Sequence, residues 1–90
     1  MKNRYPRWCV MAKHTARLRS PADVGLAVQQ ARLARGLSQS DLASQLGLHQ
    51  SALSEIESGK STIYLRRLFD LARATGLEIT ATWSDDAPRG

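Results

Sequence analysis

The chain has 90 residues, 42% of them apolar, which suffices for one modest core and leaves no room for a second domain. No apolar run approaches the roughly 18 residues of a membrane span, and no apolar block with a cleavage site follows the basic N-terminus, so neither a span nor a secretory signal is expected. The lone Cys9 can form no internal disulfide and the two histidines offer no zinc spacing, so the expectation is a cytoplasmic protein with no metal and no cofactor.

The formal net charge of +5 is unevenly spread. Residues 1–19 carry six basic side chains and no acid, whereas residues 20–90 carry seven basic and eight acidic ones, a net of −1. Bulk charge is therefore a weak argument for nucleic acid, and any such case must rest on a motif.

Residues 1–19 hold no sustained period and read as a flexible basic tail, either solvated or reaching along phosphates. Both Met1 and Met11 are candidate starts. The alternation in Thr15-Ala-Arg-Leu-Arg19 is also compatible with a strand. Ser20-Pro21-Ala22-Asp23 has the cap, the first-turn proline and the early acid of a helix start. Val24, Ala27, Val28 and Ala31 continue at helical spacing to Gly36, predicting a helix over about 22–35. Ser38 with Asp41 opens a second helix over about 39–46, ended by Gly47. A third spans about 50–58 with Leu53 and Ile56 inward, and a fourth about 63–75 with Leu65, Leu68, Phe69, Leu71 and Ala72 as its apolar stripe. The period then changes. Residues 77–83 alternate apolar and polar with β-branched residues and read as a strand, before a short tail over 84–90. A lone strand leaves its backbone groups unpaired, so it requires either residues 15–19 or the same strand of a second molecule.

The stretch LSQSDLASQLGLHQSALSEIESGK, residues 37–60, packs two of these helices almost without a loop. Counting Gln39 as position one, Ala43 falls at five and Gly47 at nine, with Leu42, Leu46, Leu48, Leu53 and Ile56 at four, eight, ten, fifteen and eighteen. Two helices crossing near a right angle need a small residue where they touch and a left-handed backbone at the turn, which Ala43 and Gly47 supply. The tight turn holds the second helix outward, where it can enter a major groove. The pattern predicts a helix-turn-helix.

At these residues the sequence resembles the Cro/repressor (XRE-type) helix-turn-helix family. The shared pattern runs through Arg32, Gly36, Leu37, Gln39, Leu42, Ala43, Gly47, Ile56, Glu57, Gly59 and Lys60, within about residues 20–76. The resemblance implies a lambda-repressor-like all-α bundle of four to five helices, with Arg32 and Glu57 as a structural ion pair. Removing one partner of such a pair strands a charge.

The exposed side of the recognition helix carries His49, Gln50, Ser51, Ser54 and Glu55. Gln50 is the best base reader, because its amide can bond adenine N6 and N7 together. By resemblance, Gln39 bonds a backbone phosphate and steadies Gln50. Ser51 and Ser54 are candidates for base or phosphate contacts, with ordinary capping as the bland alternative. Glu55 can accept from a cytosine amino group. His49 stands where Ser or Thr is commoner in the family. Lys60 and, more weakly, Arg35 are candidate phosphate contacts.

The flanks RLRSPADVGLAVQQARLARGLSQ and STIYLRRLFDLARATGLEITATW are similar to the HipB-type antitoxins. That resemblance implies a C-terminal strand that pairs with its copy across a homodimer, with Leu77, Ile79, Ala81 and Trp83 on one face. It also implies a nucleoid-associated repressor that binds palindromic double-stranded operators and a HipA-like kinase toxin. A free-standing regulator and a protein-only adaptor are the alternatives. No Ser-His-Asp, Cys-His or paired-carboxylate arrangement suggests an enzyme.

Overall fold

The computed structural model describes residues 13–85, and its elements are β1 (Lys13–Leu18), α1 (Pro21–Ala34), α2 (Gln39–Leu46), α3 (Gln50–Glu57), α4 (Ile63–Thr75) and β2 (Ile79–Ser84). The helix starts are chemically set. The Ser20 hydroxyl accepts from the Asp23 N–H, and the Asp23 carboxylate takes the Arg19 N–H at 2.7 Å. Ser38 and Asp41 form a reciprocal capping box on α2, at 2.9 and 3.1 Å. Thr62 caps α4 by accepting from the Leu65 N–H at 3.1 Å.

The core is small: Ala27 of α1, Ala43 of α2, Leu53 of α3, and Phe69 and Ala72 of α4 are buried. Burying a side chain the size of Leu53 or Phe69 contributes about 1.5–3 kcal/mol. With three of five core residues being alanine, the helices must approach closely. Gly25 makes this possible where α1 crosses the end of α3. A methyl group at Gly25 would lie 2.3 Å from the Ile56 carbonyl oxygen and 2.7 Å from that of Glu57, so two backbones meet where any side chain would separate them.

Two expectations are corrected. The strand expected at 77–83 to pair across a dimer pairs instead with β1, antiparallel and within the chain. Leu77, assigned to its inner face, precedes β2 and is exposed. The register sets His14 against Trp83, Ala16 against Ala81 and Leu18 against Ile79. These six residues are all half-buried, whereas Lys13, Thr15 and Arg17 of β1 face outward. A one-residue slip would turn the apolar row to solvent, so the pattern itself holds the register. The His14 and Trp83 rings stack with centroids 5.5 Å apart.

The second correction follows from the first. The described residues form four helices with a two-stranded sheet, rather than an all-α bundle of four to five helices whose single strand pairs across a dimer. The stretch read as a flexible tail over 1–19 contributes β1, whose alternation begins at Lys13 and ends at Leu18 rather than spanning 15–19. Residues 1–12, with Cys9 and Met11 among them, and residues 86–90 lie outside the described residues.

Candidate nucleic-acid interface

The turn between α2 and α3 is as short as its spacing demanded. Gly47 sits in the left-handed region at φ 68°, and the Leu48 N–H donates to the Ala43 carbonyl at 2.9 Å. Ala43 is only 2% exposed, the small contact that the crossing requires.

Behind this turn runs a chain of hydrogen bonds from the core to the surface. Arg32 of α1 grips Glu57 at the end of α3 through two contacts, Nε to Oε2 at 2.7 Å and Nη2 to Oε1 at 3.0 Å. Its remaining Nη1 donates to the Leu37 carbonyl at 2.8 Å, pinning the loop that leads into α2. Both residues are 9% exposed. Such a pair is the geometry in which a planar guanidinium is strongest. The hydrogen bond from Arg32 holds the Glu57 carboxyl below its usual range, against the opposing effect of burial, with Gln39 assisting. The same bond raises the Arg32 guanidinium.

Glu57 also orders the surface. Gln39 at the start of α2 donates its Nε2 to Glu57 Oε1 at 3.0 Å. An ionised carboxylate can only accept, so the Gln39 amide is turned with its nitrogen inward and its oxygen outward. That oxygen then accepts from Nε2 of Gln50 at 3.4 Å. The outermost glutamine is thereby biased to present its own carbonyl oxygen and remaining N–H to solvent. The family resemblance implied that Gln39 steadies Gln50, and the structure brings the two together. The link from Gln39 to Glu57 was not legible, because residues 18 apart on different helices share no local period.

The helix-turn-helix family profile matches residues 28–81, more than half of the chain. The chain belongs to the XRE-type helix-turn-helix family. It is 32% identical over 80 residues to the endothelial differentiation-related factor 1 homolog of Danio rerio, a match covering 78% of this chain and 55% of that protein. The chain thus spans about half the length of the curated relative it matches. No solved structure matches it.

Within this XRE-type frame the other candidate residues fall into place unevenly. Gln50, Ser51, Ser54 and Glu55 are exposed on α3. His49 occupies the cap position of α3 but makes no side-chain cap bond, leaving the first amides of the helix uncapped. Glu55 and Lys60 form an ion pair at 3.4 Å, so the candidate base acceptor and the candidate phosphate contact are engaged with each other. Arg35 is exposed beyond the end of α1, without an ion pair among the described residues. Of the residues expected on a dimer strand, Ile79, Ala81 and Trp83 are half-buried within the chain.

Proposed function

We propose that this chain is a sequence-specific repressor that reads its operator through α3, with Gln50 as the principal base contact. The observation that carries the reading is the chain of bonds from Arg32 through Glu57 and Gln39 to Gln50. An oriented amide has already lost rotamer freedom before it meets a base, which favours selective hydrogen bonding over mere association. The uncapped amides behind His49 give a phosphate a place at the positive end of α3. Ser51, Ser54 and Glu55 flank Gln50 for further base contacts, and Lys60 and Arg35 supply charge for phosphates.

The finer reading is that of a HipB-like antitoxin, repressing its own operon and binding a HipA-like kinase toxin. It rests on the resemblance of the flanks and on a helical domain followed by a short C-terminal strand. In this reading the chain acts by binding, without catalysis or cofactor, in the cytoplasm at the nucleoid. Palindromic sites call for a homodimer. Because the inner face and one edge of β2 are used within the chain, a second copy would have to meet an outer sheet edge or another surface. That intrachain pairing favours a second reading, a free-standing regulator with no toxin. The near-neutral charge of residues 20–90 would suit a protein-only adaptor better than either.

The test is a titration of the chain against DNA from upstream of its own gene and a scrambled control, at two salt concentrations. Selective binding is expected, and Gln50→Ala should lose about 1–3 kcal/mol of discrimination with folding intact. Equal affinity for both DNAs in the unmutated protein would sink the assignment. Co-purification with a kinase encoded beside it would separate the antitoxin from the free-standing regulator.

A further inference from the structure

Away from α3, a cavity of about 250 Å³ opens between the C-terminal end of α4 and the two strands. It lies just below the roughly 300–1,000 Å³ of sites for drug-sized ligands, so an occupant must be small. Its floor is apolar: Phe69 and Ala72 of α4, with Leu18 and Ile79, which face each other in the sheet register. Its charged lining consists of three arginines, Arg17, Arg19 and Arg73, and one carboxylate, Glu78.

Two of these arginines have work within the fold. Arg17 pairs with Glu78 at 3.2 Å. Arg73 bonds Asp70 at 2.5 Å and donates to the Arg19 carbonyl at 3.1 Å, and as a cation in the last turn of α4 it also suits the negative helix end. Arg19 differs. Its backbone N–H and C=O are both engaged, by Asp23 and Arg73, while its guanidinium has no partner among the described residues. The backbone at Arg19 is therefore anchored on both sides, and one cation is left over beside an apolar cleft.

We propose that this cavity binds a small amphipathic carboxylate, an aromatic or short aliphatic acid. Its apolar part would lie on Leu18, Ile79 and Leu77, above the buried Phe69 and Ala72, and its carboxylate would pair with the guanidinium of Arg19. A guanidinium matches a carboxylate through two parallel N–H donors. An inorganic anion would satisfy the charge but leave the apolar floor wet, and a neutral alcohol would cover the floor but leave the charge. Only an acid with an apolar tail does both. The site is separate from the reading helix, since α3 packs on α1 and α2 while the strands pack on α1. A ligand there ties α4 to both strands and so stabilises the folded chain by mass action.

Calorimetric titration of the full chain with octanoate, beside octanol and inorganic phosphate as controls, tests this. Saturable binding of octanoate alone is expected, together with a rise in Tm. Arg19→Gln should weaken octanoate about tenfold or more, the loss of one charge-assisted pair, while leaving the ligand-free Tm unchanged. Four results would overturn the proposal: no saturable heat with octanoate, equal binding of octanol, equal binding of phosphate, or unchanged affinity in Arg19→Gln. If Arg19→Gln instead weakens DNA uniformly across sequences and leaves octanoate binding as it was, the arginine serves a phosphate of the DNA and the ligand site is refuted.

Discussion

Glu57 is the residue that joins the buried ion pair to the surface glutamines. It accepts from Arg32 twice and from Gln39 once while only 9% exposed, so its charge is compensated wherever it is buried. Its carboxyl is lowered on folding, chiefly by the Arg32 hydrogen bond. A group depressed in the folded state adds stability that is fully present above its unfolded pKa, near 4.3 for glutamate, and lost as pH falls through the lower folded value. Urea unfolding should therefore give a flat midpoint around neutrality and a decline that begins below about pH 4.3. Asp41, lowered by the Ser38 N–H it accepts, contributes in the same direction from the surface. In Glu57→Ala the stranded Arg32 should cost about 3–5 kcal/mol at neutral pH, and much of the acid-dependent decline should disappear. A variant with the wild-type pH profile would show that other carboxylates govern it.

At the scale of elements, the sheet decides more than its size suggests. A two-stranded ribbon is marginal alone, and here it is held by its packing on α1. Trp83 stacks on His14, and its side of β2 borders a groove with Val28, Ala31, Leu37 and Leu42. Trp83→Ala should therefore lower stability by about 1–3 kcal/mol, from lost burial and stacking, with no change of mass in light scattering. A fall in mass with stability unchanged would return this residue to an interface between chains. The pairing was half legible. Alternation at residues 77–83 announced a strand that needed a partner, and residues 15–19 were one of two candidates. Choosing between them takes the distance between the ends of α1 and α4, which no local pattern contains.

Across the whole molecule, the excess positive charge and the helix-turn-helix lie in different parts of the sequence. Residues 1–10 carry Lys2, Arg4 and Arg7, three cations in a chain of net charge +5. Removing them should weaken binding to all DNA alike and flatten its salt dependence, by up to about 0.9 in slope for each phosphate no longer neutralised. The ratio of operator to scrambled affinity should stay as it was. A collapse of that ratio would mean the tail carries sequence information, and α3 would need a different role. Among the described residues no helix is long and apolar enough to cross a membrane.

The sequence alone determined what depends on neighbours along the chain. Ser20, Ser38, Asp41 and Gly47 mark their helix ends by bonds that close within a few residues, and the expected helices agree with the observed ones to within a residue at each end. Ala43 and Gly47 disclosed the helix-turn-helix because its sterics act within one turn. What only the tertiary structure decided are the contacts made across large separations. These include the link of Gln39 to Glu57, the approach of Gly25 to the Ile56 carbonyl, and the meeting of β1 with β2 across 60 residues that lie between Leu18 and Ile79. Backbone hydrogen bonds and caps are written in local residue types, whereas the partner of a strand or a buried charge is set by where the packed helices bring it.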